Sequence, residues 1–349
     1  MDIEVYRTKS NNSNIKPFLV DVPVKTNIWI RPECQKKQFE VIRKARPSIL
    51  FLQSDGGRNE EEWEKIRKNR ELFKEIDWDC TVHCLFANEN YGLYGMAYRS
   101  WNYIWKRVDR CIFLEDDHIP SVSFFRFCKE MLDKYENDLR IAAICGTNVL
   151  GDYKMASADY VFSRNLAIWG VAYWKRTYDS YNLDYKNDEY TNNAICQYGK
   201  RFKHFCKLVR DYGNNKKADG HIPGSEFYLN LNMIAQNQMF IFPKRNMISC
   251  MGVMPGSAHS PNSIKMLPKG VSQIYNMKTY ELNQSIKYAK YVFPDIEFEK
   301  KQERILALHH PLVAKYRRIV RIIKRIYYGD GKKMLMKKIN NIGNKMEEK

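Results

Sequence analysis

The chain alternates short apolar runs with longer stretches of helical periodicity. Val24 to Ile30 reads as a buried strand, and Pro32 to Lys44 sets Cys34, Phe39, Val41 and Ile42 among Gln, Lys and Glu, a helical mixture. Ser48 to Gln53 is a second, continuously apolar strand that runs into the loop Ser54-Asp55-Gly56-Gly57-Arg58. Asn59 to Lys74 is a charged helix with Trp63, Ile66 and Phe73 to one side, and Cys80 to Phe86 is a third strand. Tyr98 to Trp105 is aromatic and helical, and Arg110 to Leu114 is a fourth strand that ends directly on Glu115-Asp116-Asp117. Ser123 to Tyr135 is an amphipathic helix and Ile141 to Cys145 a fifth strand. This alternation predicts an α/β fold, a mostly parallel sheet with flanking helices. Ligands of such sheets bind beyond the carboxyl ends of the strands. The pattern puts two polar clusters there, Asp55 with Arg58 and the acidic triplet.

Composition narrows the class. With 44% hydrophobic residues and 23 Tyr among 349, the chain has ample material for a folded core. No run approaches ~18 apolar residues, so no membrane-spanning helix is expected. The start, Met1-Asp2-Ile3-Glu4 followed by Ser10 to Asn14, has no basic and apolar leader pattern, which predicts a cytoplasmic protein with a polar lead-in over 1–22. Nine cysteines without a CxxC pair argue against a disulfide framework or zinc ribbon. Cys80 and Cys84, with His83 between, read as small hydrophobes on a strand.

The acidic triplet carries the chemistry. Three adjacent carboxylates repel one another unless a cation or ligand donors absorb the charge, and hard oxygen ligands favour Mg²⁺ or Mn²⁺ shared with substrate phosphates. Ile112 to Pro120, followed by Phe124-Phe125-Arg126-Phe127-Cys128, resembles the nucleotide-sugar-binding region of GT-A glycosyltransferases. It is most similar to the bacterial relatives of N-acetylglucosaminyltransferase I found in surface-polysaccharide gene sets. Asn27 to Pro32, Leu52 to Arg58, and Asn246 to Gly252 with His259 resemble three further stretches of that family, in the same order.

The resemblance covers roughly residues 24–262 and implies a Rossmann-like GT-A catalytic domain over 23–275, then a linker or packing segment over 276–310. It implies Asp117 as direct metal ligand, with His259 adding an imidazole to the metal or a contact to the diphosphate. Asp116 would lie near the ribose or sugar with Glu115 behind it, and Asp55 would read the nucleobase edge. Arg31 and Arg58 would lie near the nucleotide, where guanidinium suits phosphate. Trp169, ahead of Gly170, would sit beneath the sugar. An inverting transferase needs a base for the acceptor hydroxyl. The family's acid falls here on Glu226, with Asp219 the alternative.

Charge adds one more feature. The chain carries +18, and residues 311–349 hold twelve Lys or Arg against Asp330, Glu347 and Glu348, half of that excess in about a ninth of the length. Leu312, Val313, Tyr316, Ile319, Val320, Ile323, Ile326 and Tyr327 fall on one helical face, with Arg317, Arg318, Arg321, Lys324 and Arg325 opposite. A basic amphipathic helix of this kind points to an anionic membrane surface, through 312–346, at the inner face of the cell membrane. Packing against the body and nucleic-acid binding are the alternatives, and no nucleic acid is expected as partner. The functional expectation is a metal-dependent, inverting transferase. It would move a sugar from a nucleotide-diphosphate sugar, a UDP-sugar first, to a lipid-linked or surface glycan. A sugar nucleotidyltransferase is the rival, but it would carry a glycine-rich basic loop where Arg31-Pro32-Glu33 stands. A non-enzymatic membrane or nucleic-acid binder would give no reason for three acids at a strand end.

Overall fold

The computed structural model describes residues 1–8, 15–165, 169–180, 189–190, 193, 216–253, 263–306 and 311–328. Its first half is built as the apolar runs require. Strand β1 (Asp2–Thr8) precedes β2 (Val20–Ile28), and α1 (Pro32–Ala45) leads to β3 (Pro47–Ser54). Then come α2 (Glu60–Leu72), β4 (Cys80–Phe86), α3 (Gly92–Ile104), β5 (Arg110–Leu114), the short β6 (His118–Pro120) and α4 (Ser123–Lys134). The second half gives β7 (Ile141–Cys145), β8 (Tyr160–Ser163), β9 (Val171–Trp174), α5 (Lys175–Asp179) and α6 (Ser225–Ala235). It continues through β10 (Met239–Pro243), β11 (Ile248–Cys250), α7 (Lys269–Ser272), α8 (Ile296–Leu306) and α9 (Pro311–Tyr327).

Nine strands make one sheet in the order β1-β4-β3-β2-β5-β9-β7-β10-β8. β2, β3, β4 and β5 run parallel, as expected of strands joined by helical crossovers. β7 and β10 are also parallel to each other. β9 lies antiparallel between β5 and β7, and β1 and β8 run against their neighbours at the two edges. Six strands thus share one direction in a mixed sheet.

The central strands are buried on both sides, which is why they read as continuous apolar runs rather than alternating ones. Every residue of β7 and β10 is buried. On one face α4 packs Phe124, Phe125, Phe127, Cys128, Met131 and Leu132, all fully buried, into the main cluster. On the other, Trp101 and Trp105 of α3 stack against Phe113, Tyr173 and Tyr178.

One expected boundary is revised. Residues 1–22, expected as a polar lead-in, contribute β1, which pairs with β4 from Asp2↔Phe86 to Thr8↔Cys80, and the start of β2. Ile3 and Val5 stay half exposed because β1 is an edge strand, so its pattern looks polar. Of the segment 276–310, expected as a linker or packing segment, the described residues 276–306 pack into the body. The Glu281 carboxylate accepts from the backbone N–H groups of Val122 (2.9 Å) and Ser123 (2.7 Å) at the start of α4. Asp295 N–H donates to Phe162 O at 2.8 Å, and α8 buries Phe298 and Gln302.

The turn before β4 is held by charge. Asp77 accepts from Arg43 through two bonds of 3.0 Å and from Lys16 at 2.7 Å. These partners, Arg43 first, hold its carboxyl down at about 2, below the usual 3.8. A depressed acid stabilises the fold above its unfolded pKa and loses that contribution as pH falls toward the folded one. The full linkage is about 2.5 kcal/mol; partial exposure reduces it to about 1 kcal/mol. Asp77→Asn should therefore lower the urea midpoint at pH 7 by about 1 kcal/mol of stability and show little difference near pH 2. An equal loss at both pH values would refute the ion-pair account.

Candidate functional site

Register brings the polar loops together. Ile28 pairs with Ser54 and Ser54 with Phe86, so β2, β3 and β4 end side by side, and Thr26 pairs with Leu114 to bring β5 alongside. The turn at Arg31, the loop at Asp55, residues 87–91 and the acidic triplet all leave from this one edge.

The acidic turn is held from inside. Glu115 O accepts the His118 N–H at 3.1 Å, closing the turn. Gln38 of α1, fully buried, donates through Nε2 to Glu115 O (2.6 Å) and His118 O (2.8 Å). Its Oε1 accepts from Thr26 Oγ1 (2.6 Å) and Gln35 Nε2 (2.9 Å). The late segment flagged in the sequence closes the other side. His118–Pro120 pairs antiparallel with Ile248–Cys250, and Met251 N–H donates to Asp117 O at 2.9 Å. Buried Asn246 anchors that segment, donating to Ile248 O (2.7 Å) and Lys278 O (3.0 Å).

Charge is concentrated where water is scarce. Arg31 Nη1 lies 3.0 and 3.1 Å from the two oxygens of Asp116 and 2.9 Å from Asp117 Oδ2, and all three residues are buried. Burial pushes the Asp116 carboxyl up and the Arg31 charge opposes it. Lys25, also buried, has its ammonium pushed down to about 8 by burial, with Glu115 pulling the other way. Glu115 itself opens to solvent at the mouth. Removing one partner from such a cluster costs about 3–5 kcal/mol, because the remaining charge is stranded.

A cation fits here in one limited way. Asp117, His118 and Cys250 place one potential ligand atom each within 4.8 Å of the others. But the Glu115 N–H donates to His118 Nδ1 at 3.1 Å, which leaves the proton of the neutral ring on Nε2, the atom facing Asp117. Burial pushes the His118 imidazole down to about 4 and the Cys250 thiol well up, so both neutral forms are favoured where no cation is bound. What is left is Asp117 Oδ1, buried and with no hydrogen-bond partner among the described residues. One hard carboxylate oxygen suits Mg²⁺ or Mn²⁺ completed by phosphates and water rather than a protein cage.

The other expected residues separate into two groups. Trp169 comes to the site, its ring 6.4 Å from that of His118 and 5.1 Å from that of Tyr275. Gly170 follows at φ +62°, and a Cβ there would strike the Ile248 side chain. Asp55, half-buried, ties loops together: its Oδ1 accepts from Gly56 and Tyr91 N–H, both at 2.9 Å, and Oδ2 from Asn90 at 3.3 Å. Glu226, near the start of α6, is exposed and accepts from Tyr94 OH at 3.1 Å.

Arg58 and Asp219 are engaged elsewhere. Arg58 is drawn to Glu62 of α2 and stacks 5.9 Å over the Trp29 ring, exposed rather than at the acids. Asp219 pairs with Arg99 at 2.6 Å and His221 at 2.5 Å, and these hold it at about 2. His259 lies outside the described residues. Sequence reading missed Gln38 and Lys25. A buried Gln or Lys on an apolar face is a signal of its own, since such groups are rarely buried without a partner.

No protein-family model matches the chain, and no curated protein matches it in sequence. The chemistry rests on the geometry. Gln38→Leu should strip two carbonyls and Thr26 of their partner and cost about 3 kcal/mol in urea denaturation. A loss under about 1 kcal/mol would mean that the turn is held by β11 instead.

Proposed function

We propose that this protein is an inverting, metal-dependent glycosyltransferase of GT-A type. It takes a nucleotide-diphosphate sugar, a UDP-sugar, and passes the sugar to a hydroxyl of a lipid-linked or surface glycan. The observation that carries the reading is the orphaned Asp117 Oδ1, buried beside the Arg31–Asp116–Asp117 ion cluster at the end of β5. A buried carboxylate oxygen with no donor nearer, among the described residues, than His118 Nε2, 3.6 Å away, is costly to keep charged, and a bound cation would offset that cost.

Each group then has a part. A divalent cation bound at Asp117 would offset the charge that builds on the departing diphosphate. Arg31, bonded to both acids, offsets part of their charge and fixes the direction of their carboxylates. Asp55, with lone-pair capacity left on Oδ2, accepts from the base edge. The Trp169 ring offers an apolar surface to the pyranose face. Glu226 takes the proton of the acceptor hydroxyl; its carboxylate is exposed, and Tyr94 OH fixes its direction. Asp219, held at about 2 by Arg99, is too weak a base for that step at neutral pH.

Two variants test the reading. Asp117→Asn should abolish the Mn²⁺-dependent part of the thermal shift given by UDP-sugars; a shift equal to that of the parent would remove the metal assignment. Glu226→Gln should keep donor binding and slow sugar transfer ~10²–10⁴-fold. Transfer at the parent rate would rule Glu226 out as the base.

A further inference from the structure

Helix α9 is a 17-residue element without an acidic residue, and it meets the body the wrong way round for a packing helix. An amphipathic helix that braces a fold turns its apolar stripe inward. Here the contacts come from the basic flank. Arg317 Nη1 donates to Ile305 O at 2.7 Å, its guanidinium lying over Gly270, where a side chain would collide with it. Lys324 Nζ donates to Leu267 O at 2.7 Å. Most of the apolar stripe faces away: Leu312 is 81% exposed, Tyr316 65%, Ile319 49%, Ile323 59%, Ile326 46% and Tyr327 82%, while Val320 is half-buried. The stripe as a whole therefore does not pack on the body.

We propose that α9 is an in-plane anchor whose apolar stripe enters an anionic lipid surface while the body remains in water. Charge complementarity selects that occupant. At ~100° per residue, Lys315 flanks the stripe on one side with Arg318 beyond it, while Arg317 and Lys324 on the other side hold the body. Lys315 and Arg318 stand where long cationic side chains reach headgroup phosphates while their stems stay on the apolar boundary. A second copy of the chain would leave the same cations facing one another. No helix among the described residues is long and apolar enough to cross a membrane, so α9 lies on the surface rather than through it. Residues 329–346, the remainder of the expected membrane segment, lie outside the described residues.

The test uses the full chain and vesicles of phosphatidylcholine alone or with phosphatidylglycerol, and its readout is independent of sugar transfer. The parent should sediment with the anionic vesicles, less with the neutral ones, and less as salt rises. Ile319→Glu with Ile323→Glu should reduce sedimentation at least about tenfold while circular dichroism and thermal midpoint stay at parent values. Lys315→Ser with Arg318→Ser should weaken it and flatten its salt dependence. Sedimentation of the stripe variant equal to the parent's would overturn the proposal. So would a parent that never sediments, or one that is a dimer in solution and becomes monomeric in the stripe variant without binding vesicles. Should the stripe variant misfold, the Ser pair decides: unchanged sedimentation overturns the anchor.

Discussion

The structure turns on the burial of Arg31 against Asp116 and Asp117. Taking three charges out of water is costly, and their mutual attraction repays it only where geometry is tight and the remaining polar atoms are satisfied. The elements around the cluster supply the tight geometry, and Asp117 Oδ1 is a polar atom they leave unsatisfied among the described residues. Pro32 starts α1 directly after Arg31, so the guanidinium is delivered from a fixed helix start. Gln38, less than two turns further along the same helix, reaches the carbonyls on both sides of the acids. One helix therefore supplies both the countercharge and the clamp, and β11 closes the exposed flank.

The other polar loops are braced by a helix as well. The Asp55 loop is tied to its neighbour, where Asn90 donates to Gly56 O at 2.6 Å and Gly56 N–H to Glu89 O at 3.2 Å. It is also tied to α2, where Arg70 Nη2 donates to Asp55 O at 3.4 Å and to Ala87 O at 3.0 Å. Gly56 is required there, because a Cβ would lie inside the Glu89 peptide.

Much of this was legible in the sequence. The runs at 80–86, 110–114 and 141–145 form strands with those bounds; 110–114 and 141–145 are buried on both faces and leave an apolar signal, while 80–86 alternates buried with half-buried positions. Four separated motifs, at 27–32, 52–58, 111–120 and 246–252, meet at one edge. β1 and β9 were not legible. An edge strand is half exposed, so Ile3 and Val5 sit among Asp, Glu and Tyr; and β9 enters the sheet between β5 and β7 without the helical crossover that marks a parallel strand. In the site, the residue types were visible but their commitments were not. Arg58 and Asp219 have the right chemistry on the right loops, yet Glu62 lies four residues from the first and His221 two from the second, and local partners win. Gln38 was hidden because its importance lies in two backbone carbonyls that no pattern of side chains reveals.

The pairing of β6 with β11 joins residues 118–120 to 248–250, and Glu281 reaches back to the start of α4. On the ribosome these partners emerge well over a hundred residues apart. The strands β2 to β5 can assemble early from neighbouring crossovers, but the turn that carries Asp117 stays open on one side until Cys250 has been made, and α4 lacks its anionic cap until Glu281 follows. Contacts of such long sequence separation form late because closing the intervening chain costs entropy before any contact rewards it. The acids therefore gain their full set of partners only once residue 251 has been made, so a nascent chain would hold strands β2 to β5 before it held a site.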